Sequence, residues 1–66
     1  MPFTLKQLRN IKGLSQKEAA EKLGVSEITL ANYEKGIRQP TAPTIKKIME
    51  VYETTFDDII FCTKEL

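Results

Sequence analysis

The chain has 66 residues, 41% of them hydrophobic, with ten Lys or Arg against nine Asp or Glu for a net charge of +1; that length makes one domain, residues 1–66, with a small core that self-association would help to stabilise. Cys62 is the only cysteine and histidine is absent, which rules out an internal disulfide, a cysteine-based zinc site and the commonest general base, so no metal, cofactor or catalytic group is expected. No apolar run approaches the roughly 20 residues of a membrane span and no secretory signal opens the chain, so a cytoplasmic location is expected.

In chain order, Phe3-Thr4-Leu5-Lys6-Gln7-Leu8 opens a first helix. Thr4 is suited to the N-cap, Gln7 to the third position of a capping box, and Phe3 to a staple onto Leu8. Leu5, Leu8 and Ile11 are expected to face inward until Gly13 ends the helix. Ser15 with Glu18 spells a second capping box, and Ala19, Ala20 and Leu23 form the inner stripe of a helix of about two turns. Ser26 caps a third helix, in which Val25 can staple onto Leu30 and which Gly36 closes after Tyr33. Ile37 to Pro40 reads as a loop, because Pro40 disfavours helix at Gln39. Thr41 offers the next cap, and Ala42 and Pro43 fit the first turn of a fourth helix with Ile45, Ile48, Met49 and Tyr52 on its apolar face. Thr55 and Asp58 predict a last short helix with Phe56, Ile59 and Ile60 turned inward.

The punctuation Gly-x-Ser occurs twice, at Gly13-Leu14-Ser15 and Gly24-Val25-Ser26. Each glycine suits the left-handed position past a helix end, and each serine the cap of the next helix. Three residues therefore separate helices two and three, which is the spacing of a helix-turn-helix that presents its second helix to the major groove of DNA. Charge is distributed to match. Residues 1–38 hold seven Lys or Arg against four Glu, a balance of +3, and residues 39–66 carry −2, so a phosphate-facing surface belongs to the first half. Ordinary solvated surface charge explains the same asymmetry, and the charge alone does not choose between the two.

The stretch from Leu14 to Ser26, LSQKEAAEKLGVS, followed by Tyr33-Glu34-Lys35-Gly36, resembles the Cro/CI (XRE) family of phage-repressor-type DNA-binding domains. The resemblance covers roughly residues 4–60, with 61–66 as a C-terminal tail. It implies an all-α, five-helix, lambda-repressor-like domain whose second and third helices form the DNA-reading unit. Glu53 stands where relatives usually have Gly after helix four, so that corner is strained or built differently, and Ala19 replaces a usual larger residue.

Residues 27–32 are the expected reading surface. Glu27 can accept from a cytosine amino group, Thr29 can bond to several bases, Asn32 can bridge an adenine, and Ile28, if it points outward, suits a thymine methyl. Glu27 equally fits a first-turn acid favoured by the helix dipole, and Ile28 the edge of the core. Gln16 matches the family glutamine that grips a phosphate, while Lys17, Lys35 and Arg38 are the expected cationic phosphate contacts. Arg9 and Glu34 match family positions that form an ion pair between helices one and three, a structural role.

Near the C-terminus, Ile60, Phe61 and Cys62 form an apolar patch; the resemblance implies pairing through helix five and the residues after it, so a homodimer through Phe56, Ile60 and Phe61 on a palindromic operator is expected, with half-sites about one DNA turn apart. Phe61 folding back onto its own core is the alternative. The leading expectation is a repressor-type, sequence-specific transcriptional regulator of bacterial or phage origin, with double-stranded DNA as partner and no small-molecule ligand or membrane. A protein-interaction module of the same fold, contacting a toxin or a polymerase subunit, is the second reading. No catalytic constellation is visible, so an enzyme is not expected.

Overall fold

The computed structural model describes residues 2–61. A short strand β1 (Phe3–Thr4) leads into α1 (Leu5–Ile11), α2 (Gln16–Leu23), α3 (Glu27–Lys35) and α4 (Ala42–Tyr52), followed by a 3-10 turn at Phe56–Asp58 and a strand β2 (Ile59–Ile60). The helix starts follow their caps. Thr4 Oγ1 accepts from the Gln7 N–H at 3.2 Å while Gln7 Oε1 accepts from the Thr4 N–H at 2.9 Å, and Ser15 and Glu18 exchange the equivalent pair at 3.1 and 2.9 Å. Each reciprocal pair satisfies two N–H groups that a helix start would otherwise leave open.

The core gathers Leu5 and Leu8 of α1, Ala19, Ala20 and Leu23 of α2, Leu30 and Tyr33 of α3, Ile48 and Tyr52 of α4, and Ile59 of β2. Ala19 is fully buried, so its small side chain stands at close contact between elements. Thr41 takes the N-cap of α4 by backbone geometry alone, and its hydroxyl instead meets Thr44 Oγ1 at 3.3 Å.

Three expectations need correction. The fifth helix is absent among the described residues: only Phe56–Asp58 turns, and Ile59–Ile60 runs extended, pairing in parallel with Phe3–Thr4 so that Phe3 faces Ile59 and Thr4 faces Ile60. Adjacent β-branched side chains are stiff at χ1 and favour the extended state, and the backbone just before α1 offers them partners. Thr55 does not cap the backbone either, since its Oγ1 donates to Asp58 Oδ2 at 3.3 Å. As a result Phe56 and Ile60 are exposed, at 55% and 45%, and of the three residues expected inward only Ile59 is buried. Ile11 is also exposed rather than inward; at about 100° per residue it lies on the flank of α1, and Arg9 occupies the buried side with Leu5 and Leu8. Cys62 and the tail beyond Phe61 lie outside the described residues.

The corner after α4 is built in the left-handed region. Glu53, at φ 52° and ψ 55°, is the non-glycine residue with positive φ among those described. Its carboxylate is paired with the Lys12 ammonium at the end of α1.

Candidate nucleic-acid interface

The turn between α2 and α3 consists of Gly24, Val25 and Ser26. Gly24 sits at φ 74°, a conformation that strains any residue with a Cβ. The Ala20 carbonyl accepts from the Val25 N–H at 3.0 Å, and Ser26 then caps α3 by accepting from the Thr29 N–H at 3.0 Å. At the far end Gly36, at φ 77°, closes the helix. The Asn32 carbonyl collects the N–H groups of Gly36, Ile37 and Arg38, so the loop that carries Arg38 is fastened to α3 itself.

Leu30 and Tyr33 anchor the inner side of α3, at 0% and 8% exposure, while Ile28 stands 76% exposed on its first turn. Helix geometry then places Ile28, Asn32 and Lys35 along the outer stripe, with Glu27 on one flank and Thr29 on the other. Glu27 and Lys35 are exposed, whereas Thr29 and Asn32 are half-buried. The Ser26 hydroxyl, besides capping the helix, donates to Thr29 Oγ1 at 2.7 Å. Lys17 and Arg38 are exposed and Gln16 is half-buried.

Behind this surface lies a polar network that reaches three helices. Arg9 Nε donates to Glu34 Oε2 at 2.7 Å and Arg9 Nη2 to Glu34 Oε1 at 3.4 Å, while Arg9 Nη1 donates to the Leu14 carbonyl at 2.9 Å. Glu34 Oε1 also accepts from Gln16 Nε2 at 3.0 Å. The two charged side chains are only 10% and 4% exposed. A carboxylate can only accept, so the Gln16 amide must turn its nitrogen toward Glu34. Held on Glu34 in this way, the Gln16 side chain is not free to swing, and one Nε2 proton remains for a further acceptor. Sequence reasoning missed the Gln16–Glu34 bond, because no local pattern marks a pairing across 18 positions. The Ser26–Thr29 hydroxyl pair was missed too, although hydroxyl residues at N-cap and N3 are a signal that could have found it.

Electrostatics at the helix ends agree with the capping. The backbone and hydroxyl of Ser15, both bonded to Glu18, hold its carboxyl below the usual value. The Lys12 hydrogen bond and charge do the same for Glu53. Tyr52 is pushed up to about 12, chiefly by burial, with the Glu34 charge adding to the rise and Arg9 opposing it.

The residues expected to support pairing of two chains fall into one cluster in part. The Phe56 and Phe61 rings lie 5.6 Å apart at 40°, and Ile60 is exposed on β2. Among the described residues no helix is long and apolar enough to cross a membrane, and no group of His, Cys, Asp or Glu is placed to hold a metal ion.

A helix-turn-helix family model matches residues 5–59. The chain is 39% identical over 56 residues to the HTH-type transcriptional regulator ImmR of Bacillus subtilis (strain 168), covering 85% of this chain and 44% of that regulator. It is 32% identical to the HTH-type transcriptional regulator AnsR of the same organism, over 85% of this chain and 48% of that one. Against the HTH-type transcriptional activator BcrR of Enterococcus faecalis the identity is 34%, over 85% and 28%. The chain thus spans less than half the length of each of these relatives. The capped turn between α2 and α3, the exposed outer stripe of α3 and the family match over nearly all the described residues agree, and the chain belongs to the Cro/CI-type (XRE) helix-turn-helix family.

Proposed function

We propose that this chain binds double-stranded DNA sequence-specifically and regulates transcription in a bacterial cytoplasm, with α3 in the major groove. Glu27, Ile28, Thr29 and Asn32 meet base edges, and Gln16, Lys17, Lys35 and Arg38 meet phosphates. Two copies pair through Phe56, Ile60 and Phe61 on a palindromic operator and repress by occupying promoter DNA. The observation that carries this reading is the contrast along α3: an isoleucine 76% exposed on the first turn of a helix whose inner side is buried to 0% at Leu30. A helix fixed so firmly on one side and left apolar on the other is suited to entering a groove. The relatives' names as transcriptional regulators support it.

The test is selection of bound duplexes from a random DNA pool at two salt concentrations, with Asn32→Ala beside the wild type. Enrichment of a two-fold symmetric site, altered at particular positions by the substitution, is the expected result. Binding that stays sequence-blind and vanishes at moderate salt leaves only the phosphate contribution. In that case the protein-interaction reading replaces this one.

A further inference from the structure

From Glu27 to Glu34, α3 carries no Lys or Arg. The bidentate clamp by which a cation reads O6 and N7 of guanine is therefore unavailable from its first two turns. What the helix offers instead is a carboxylate at Glu27, the exposed side chain of Ile28, the hydroxyl of Thr29 and the carboxamide of Asn32. Thr29 Oγ1 already accepts from Ser26 Oγ at 2.7 Å, which leaves its own proton to be donated outward. Among these groups Ile28 is apolar, and at 76% it is the most exposed of the large hydrophobic side chains described. In the major groove the apolar group a base pair presents is the C5-methyl of a pyrimidine.

Resting on the DNA-reading function above, we infer that Ile28 reads one pyrimidine C5-methyl group in each half-site. Two bases carry that group: thymine, and cytosine methylated at C5. Glu27, adjacent in the chain, accepts from an exocyclic amino group and is repelled by O4 of thymine or O6 of guanine. Its neighbouring base is accordingly cytosine or adenine.

The experiment starts from the duplex selected out of the random pool. Each thymine of a half-site is replaced in turn by uracil, which removes the methyl and leaves the hydrogen-bonding edge intact. Each cytosine is replaced in turn by 5-methylcytosine, which adds one. Affinities are measured for the wild type and for Ile28→Ala at a single salt concentration. The expected result is one position per half-site at which the wild type loses about fourfold on thymine-to-uracil exchange, or gains about fourfold on cytosine methylation, the scale of one buried methyl group. Ile28→Ala shows no response there. Loss with uracil identifies thymine as the source, and gain with methylation identifies 5-methylcytosine. No response at any position, or a response retained in Ile28→Ala, overturns the assignment while sequence-specific binding stands. Failure to select any duplex overturns the DNA-reading function and the assignment together. The thermal midpoint of Ile28→Ala, expected to match the wild type because the side chain is solvent-facing, separates lost recognition from lost folding.

Discussion

Arg9 of α1 and Glu34 of α3 meet at 2.7 Å with only 10% and 4% of their side chains exposed, and the same carboxylate takes the Gln16 amide at 3.0 Å. One glutamate thereby fixes the orientation of the reading helix against both of its neighbours. Truncating one member of the ion pair strands the other charge in a poorly solvated site, at a cost of about 3 kcal/mol. Arg9→Ala and Glu34→Ala should each lower stability by that order, and the double variant should cost clearly less than their sum. Urea denaturation of the four proteins measures this. Arg9→Ala that kept its thermal midpoint while losing DNA affinity would instead put Arg9 on the DNA.

Tyr52 is 1% exposed and its hydroxyl has no hydrogen-bond partner among the described residues. Leaving such a group buried is costly, so Tyr52→Phe should raise stability by about 1 kcal/mol at neutral pH. The linkage has a definite sign. The folded-state value is raised to about 12 from 10.0, so the folded protein holds the proton more tightly. The stability tied to this proton is fully present below pH 10 and is lost as the pH climbs from there toward 12. Tyr52→Phe should lack this alkaline loss, which denaturation at a series of alkaline pH values would show.

Glu18 titrates in the opposite sense. Its carboxyl is held below the ordinary glutamate value of 4.5 by the Ser15 bonds, so its stabilising effect is present above that pH and disappears as the pH falls through the folded-state value. The stability gap between wild type and Glu18→Gln should be widest near neutrality and should close on acidification. A gap independent of pH between neutrality and pH 3 would refute the charge assignment.

At the proposed DNA-facing surface, Lys35→Ala and Arg38→Ala should each reduce the slope of log affinity against log salt by about 1 without changing base preference. Asn32→Ala should instead relax one base position by about 1–3 kcal/mol and leave the slope unchanged. Salt titrations on the selected duplex and on a scrambled one separate the two behaviours.

Ile60→Glu places a charge on the exposed face of β2, beside a segment whose Phe56 and Phe61 rings are 5.6 Å apart. If two copies pair here, the variant should sediment as a monomer, bind a single half-site as the wild type does, and lose its advantage on the full site. Unchanged sedimentation would move the pairing surface elsewhere.

Local chemistry was legible in the sequence and tertiary chemistry largely was not. Thr4, Ser15 and Ser26 announce helix starts because a cap is satisfied within three residues, and Gly24 and Gly36 announce ends because only a residue without Cβ adopts their φ freely. The inner side of α3 followed from the spacing of Leu30 and Tyr33. Ile59 and Ile60 were misassigned to a helix since their partners, Phe3 and Thr4, lie at the other end of the chain, where no windowed pattern can reach. Ile11 failed for a related reason: a seven-residue helix has room for one narrow buried stripe, and a buried arginine with its glutamate took the place that apolar periodicity reserves for hydrocarbon. At the interface, the outward stripe was readable from the caps and the buried positions, whereas the turn of the Gln16 amide toward Glu34 depends on where α3 docks.

The pairing of Phe3 with Ile59 has a mechanical corollary. A polypeptide leaving this unit after Phe61 departs from a point beside its own beginning, so a pull applied between the two ends loads the short parallel ladder before it loads any helix. Such a clasp joins positions 56 residues apart, so closing it in an unfolded chain is costly in entropy, and it is the contact expected to fray before the helices. Its opening frees the Ile60 edge while leaving α2, α3 and their shared turn in place.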